Sequence, residues 1–149
     1  VIGGAAGALP ALIGWAAATG SIGLGGVVLA TLIFLWTPAH FYNLAMAYKD
    51  DYERGGFPMY PVVRGDTETR KHVLLYLGAT FVAAAALATV PSLGVAYLLA
   101  AVGVGSLFLW AVVRLHYEQT EQAAMRAFHA SNAYLGAVLV AVVVDAMVL

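Results

Sequence analysis

Cysteine is absent from this chain of 149 residues, which excludes disulfides, thiolate metal sites and cysteine nucleophiles. Charge is almost as scarce: Lys and Arg number 7, Asp and Glu 8, and the formal net charge is −1. Such a chain offers a nucleic acid no basic field. Position 1 is Val and not Met, and no basic region of the signal-peptide kind precedes the apolar segment already under way there. The chain therefore reads as part of a longer protein. What remains is apolar, with 62% hydrophobic residues and a mean hydropathy of +0.87, a composition that makes the bilayer the solvent.

A membrane span needs about 20 mostly apolar residues. The segments 1–18, 27–47, 73–90, 95–115 and 123–148 meet that length to within a few residues, so an all-α polytopic transmembrane bundle is expected. Connections 19–26 and 91–94 carry no charge, whereas all seven Lys and Arg (Lys49, Arg54, Arg64, Arg70, Lys71, Arg114 and Arg126) lie in or beside connections 48–72 and 116–122. The positive-inside rule places those two connections in the cytoplasm. Five spans then start inside and bring Leu149 out on the far face, where Asp145 is the only nearby charge.

Within that frame the stretch Tyr48 to Val63 stands out, because Lys49, Asp50, Asp51, Glu53 and Arg54 put five charges into six residues directly after an apolar run. If the preceding helix continues through it, His40, Asn43, Ala47 and Asp51 fall at i, i+3, i+7 and i+11, on one face. At about 1.5 Å per residue Asp51 then stands about 16 Å from His40 along the axis. A polar stripe of this kind is costly against lipid and belongs against the bundle interior or a cavity. For His40 and Asn43 ordinary bonding to a neighbouring helix competes with a functional role, and acidic pairs also occur in plain cytoplasmic loops.

Gly3, Gly7, Ala11 and Gly14 recur at three and four residues, a smooth face that suits close helix packing or room for a ligand. Pro10 and Pro38 each remove a backbone hydrogen bond inside an apolar run and are expected to kink it. Ser131, Asn132 and Tyr134 form a polar group early in the last span, best read as interhelical hydrogen bonding. His72, His116, His129, Tyr97, Trp110 and Tyr117 have interfacial explanations.

Paired carboxylates among Lys49, Arg54, Arg64, Arg70 and Lys71 at a membrane border suit a magnesium-bound diphosphate, since this hard cation takes one or two carboxylates and shares phosphate oxygens. A lipid tail on that diphosphate would lie beside Phe34, Trp36, Phe41 and Tyr42. Loss of the diphosphate would leave an allylic cation, which each dry aromatic face stabilises by roughly 0.5 to 2 kcal/mol. Half of a membrane transporter is the competing class, and it explains the kinks but not the acidic loop. A purely structural subunit leaves the acids without a task.

The segments WTPAHFYNLAMAYKDDYERGGFPMYPVVRG, VIGGAAGALPALIGWAAATG and AFHASNAYLGAVLVAVVVDAMVL resemble the haem O synthase family of UbiA-type intramembrane prenyltransferases over nearly the whole chain. The resemblance implies a bundle of nine spans, of which residues 1–149 supply the last five, the C-terminal half. It implies farnesyl transfer from farnesyl diphosphate to a vinyl group of protohaem (haem b), with water adding. The product serves terminal oxidases, directly or after haem A synthase. Another intramembrane prenyltransferase, with a quinone or lipid acceptor, is the alternative.

By the same resemblance Asp51 is the principal magnesium ligand and Asp50 a second ligand or its outer partner. Tyr52, Gly55, Gly56, Pro58 and Met59 follow the acids in the same substrate-binding motif, beside the diphosphate-neutralising Lys49 and Arg54, and Trp36, Pro38, Phe41 and Asn43 shape the acceptor pocket. His40 orients haem, ligates its iron or positions the water. The wider superfamily often spaces two acids four apart, but Arg54 and Gly55 stand where the second acid would. A further aspartate-rich motif belongs to the missing N-terminal half, so residues 1–149 alone are expected to be inactive.

Overall fold

A computed structural model describes residues 2–148, so the start of the expected first span at Val1 and the placing of Leu149 lie outside the described residues. The described residues form helices and connections, with no strand. In chain order the helices are α1 (Ile2–Thr19), α2 (Leu24–Ala47), α3 (Lys49–Arg54), α4 (Tyr60–Arg64), α5 (Asp66–Leu87), α6 (Val95–Leu99), α7 (Gly105–Glu118) and α8 (Glu121–Val148). A π-helical turn, Ala100–Val104, joins α6 to α7 in one rod. Three rods, Leu24–Ala47, Val95–Glu118 and Glu121–Val148, are long and apolar enough to cross a membrane. In α5 the first turns carry Asp66, Glu68, Arg70 and Lys71, so its apolar part begins only after them.

Helix α2 is the axis of the bundle and packs on α1, α5 and α8, while α7 and the π turn pack on α8. Small residues let α1 approach: a Cβ at Gly25 would meet the Trp15 ring at 2.5 Å and one at Gly26 would meet it at 2.7 Å. Only glycine admits the indole there. The inward face of α1 is Gly4, Ala8, Ala11 and Trp15, so Ala11 alone of the expected smooth stripe turns inward. Gly3, Gly7 and Gly14 are exposed with nothing near their Cβ positions.

On α8 the core side is Ala124, Ala127, Ser131, Tyr134, Val138 and Val142, a helical period that meets α2 and the α6–α7 rod. Gly105 lets Tyr134 close in, with 3.3 Å from a Cβ position to its ring. Asp145, 6% exposed, accepts backbone N–H bonds from Gly94 and Tyr97 at 2.8 Å and from Ala96 at 3.3 Å. Its carboxylate thus satisfies the free donors at the start of α6 from across the bundle. Tyr97 in turn donates its hydroxyl to the Ala84 carbonyl at 2.7 Å and ties the same turn to α5.

The continuous helix expected from His40 to Asp51 does not form. Helix α2 stops at Ala47, Tyr48 takes φ −115 and ψ 27, and α3 begins afresh at Lys49. The charges account for the restart: Asp50 and Asp51 fall in the first turn of α3 and Arg54 in its last, where each complements the helix dipole. The turn that follows uses Gly56 at φ +72, a backbone conformation that favours glycine.

Candidate functional site

The candidate side chains fall into two layers on either side of this break. The deeper layer sits between α2 and α8, where Trp36 and His40, four residues apart on α2, share a face. Their rings stack at 4.3 Å, and Phe128 of α8 closes the other side of the imidazole at 4.5 Å. Both are anchored to one residue: Trp36 Nε1 donates to the Ser131 carbonyl at 3.0 Å, and His40 Nδ1 meets Ser131 Oγ at 2.8 Å. His40 is therefore a buried histidine bonded to a neighbouring helix, and also the centre of an aromatic stack. One turn on, Asn43 is fully buried with both amide atoms unpartnered among the described residues, as is the Tyr134 hydroxyl. Burying an amide without hydrogen bonds is expensive, so these groups mark where a further polar partner fits.

Phe41 meets the His40 ring edge-on at 5.2 Å, outside the parallel stack. It is half exposed and, with Phe34, Thr37, Pro38, Tyr42 and Tyr76, lines a cavity of about 350 Å³ beside the proline. Pro38 has no N–H to give the Phe34 carbonyl, and Thr37 Oγ1 bonds the Ile33 carbonyl at 2.7 Å. Tyr42 stacks on Tyr60 of α4 at 5.0 Å, and Tyr60 meets His72 of α5 at 5.1 Å. These rings hold α4 against α2 and α5.

The outer layer is a polar pocket of about 240 Å³ at the end of the bundle that carries α3, with Lys49, Asp50, Asp66, Arg70, Gln119 and Glu121 in its wall. Lys49 Nζ stands 3.1 Å from Asp66 Oδ1, an ion pair without hydrogen-bond alignment. Arg70 is only 9% exposed, and its partners are neutral: Thr67 Oγ1 and Gln119 Oε1, each at 3.2 Å. Gln119 ends α7 at φ 53, a left-handed conformation that costs a non-glycine residue some strain. No carboxylate among the described residues pairs with Arg70, so its charge is available to an anion in the pocket.

The two adjacent acids diverge, as residues about 100° apart on a helix must. Asp50 faces the pocket and makes no ion pair among the described residues, whereas Asp51 points outward and pairs with Arg54. Tyr52, Pro58 and Met59 lie on and after α3, where Tyr52 packs edge-on against Phe57. No three acidic or histidine side chains gather as a metal cage among the described residues. A magnesium ion that arrives with a diphosphate needs only one or two carboxylates.

Sequence reasoning grouped Lys49, Asp50 and Arg70 at one border but missed Asp66, Gln119 and Glu121 as their neighbours, and Phe128 as the second face of the His40 stack. Helical spacing places Phe128 one turn before Ser131, which was the available signal.

The profile of the UbiA prenyltransferase family matches residues 1–138. The chain is 72% identical over 147 residues to Protoheme IX farnesyltransferase 1 of Natronomonas pharaonis, covering 99% of this chain and 32% of that one. It is 72% identical over 149 residues to Protoheme IX farnesyltransferase of Haloarcula marismortui, covering 100% of this chain and 32% of that one. The Protoheme IX farnesyltransferase of Frankia casuarinae is 45% identical over 151 residues, covering 99% of this chain and 52% of that one. The chain thus spans about a third of the length of the first two relatives. No solved structure matches it.

Proposed function

The chain belongs to the UbiA prenyltransferase family, and from that premise we propose that it is the C-terminal part of an intramembrane enzyme that moves a farnesyl group from farnesyl diphosphate onto a vinyl group of protohaem. The observation that carries the acceptor is the 72% identity, across the chain's whole length, to proteins named for protohaem farnesylation. Family membership displaces the transporter reading. A quinone or lipid acceptor remains the competing assignment within the family.

All five rods cross the membrane in this proposal, with 48–72 and 116–122 on the cytoplasmic side and the C-terminus outside. Arg70 and Lys49 attract the diphosphate from the pocket wall, and Asp50 and Asp51 supply carboxylate oxygens to the magnesium that accompanies it. When bound, that ion neutralises charge on the leaving diphosphate. The bond between farnesyl C1 and the diphosphate oxygen breaks with its electron pair leaving on oxygen. The terminal vinyl carbon of protohaem bonds to C1, water adds to the resulting cation, and one proton is released. Aromatic faces beside Pro38, those of Phe34, Phe41 and Tyr42, stabilise the allylic cation and keep water from it.

Removing divalent cations from the complete protein with EDTA should stop farnesyl transfer, and excess magnesium should restore it. Undiminished transfer in EDTA would remove the acid pair from the role assigned here.

A further inference from the structure

Ser131 holds more of the site than its place in a packing helix requires. Its Oγ lies 2.6 Å from the Phe128 carbonyl oxygen and 2.8 Å from His40 Nδ1, while its own carbonyl takes the Trp36 N–H. A serine hydroxyl carries one proton. Two oxygens at 2.6 Å without a proton between them repel, so that proton goes to the Phe128 carbonyl, a common bond for a serine inside a helix. Oγ is then left only as an acceptor toward the imidazole. Nδ1 must carry the hydrogen of the neutral ring, and Nε2 keeps its lone pair. The ring is also held in plane, with interplanar angles of 18° to Trp36 and 27° to Phe128.

We propose that Ser131 is a positioning residue that fixes His40 as the Nδ1–H tautomer, so that Nε2 presents an unprotonated lone pair to the acceptor substrate. The lone pair has the chemistry either to ligate haem iron or to accept a proton from the water that adds to the vinyl carbon. The consequence for catalysis rests on the function proposed above, but the tautomer does not.

The test uses the complete protein labelled with 15N-histidine, with His40→Gln identifying the His40 signals. Wild type should give a pyrrole-type Nδ1 and a pyridine-type Nε2. Ser131→Ala should lose that preference, and Ser131→Thr, which keeps the hydroxyl, should retain it. In farnesyl transfer Ser131→Ala should lower kcat by about 10- to 100-fold, the range found for groups that orient a histidine ligand, with KM for farnesyl diphosphate unchanged and Ser131→Thr largely active. Movement of the bound-haem Soret band in Ser131→Ala assigns the lone pair to iron, and a stationary band with reduced kcat assigns it to water. A pyridine-type Nδ1 in wild type, or an unchanged preference in Ser131→Ala, overturns the proposal. The wild-type spectrum decides even if the alanine variant does not fold. Full farnesyl transfer by His40→Gln would remove the catalytic consequence while leaving the tautomer assignment standing.

Discussion

The double substitution Asp50→Asn with Asp51→Asn should leave the complete protein folded and nearly inactive. Both side chains are exposed on α3 and neither contributes to the core, so the thermal midpoint should stay close to wild type. Asparagine keeps the shape and removes the charge. A preorganised group aimed at developing charge is worth roughly 10² to 10³ in turnover when lost, so the pair together should lower kcat by at least about 100-fold. Binding of protohaem, which the proposal assigns to the deeper layer, should be unaffected. Comparing the single variants then separates the acid that faces the pocket from the one that pairs with Arg54. Full turnover by the double variant would show that these carboxylates hold neither metal nor diphosphate.

The second large effect concerns Trp36, which is 8% exposed and joins α2 to α8 through its ring and its N–H. Trp36→Ala removes the stack on His40, leaves the Ser131 carbonyl without its donor and opens a void, and substitutions of this size in cores cost about 3 to 5 kcal/mol. Both stability and activity should fall. Trp36→Phe keeps a ring over His40 but loses the hydrogen bond, worth about 1 kcal/mol, and part of the indole's packing, a smaller loss than that of the whole ring. Thermal unfolding in detergent, read beside farnesyl transfer, distinguishes the two. A Trp36→Phe variant as impaired as Trp36→Ala would place the role of this residue in its N–H and not in its stack.

Much of the bundle was legible because apolar length and charge segregation are local properties. The long helices lie where uninterrupted apolar runs lie, and the meeting of Trp36 with His40 follows from four-residue spacing. The restart at Tyr48 was not legible, since AMAYKDD contains neither proline nor glycine and helix propensity runs straight through it. The dipole preference of two acids for a helix start outweighs that propensity, and it swings Asp51 away from the face of His40. Partners far apart in sequence were equally hidden. Ser131 lies 91 residues from His40, and no local pattern announces that the two side chains meet. Nothing local to Gly25 and Gly26 shows that Trp15 occupies the space where their side chains would be.

The most direct measurement supplies the complete protein, in membranes with magnesium, with farnesyl diphosphate and protohaem and follows the haem by mass spectrometry. The account predicts a product heavier than protohaem by one farnesyl group with its accompanying hydroxyl, formed as diphosphate is released. Protohaem recovered unchanged while a quinone or lipid acceptor is prenylated in its place would contradict it.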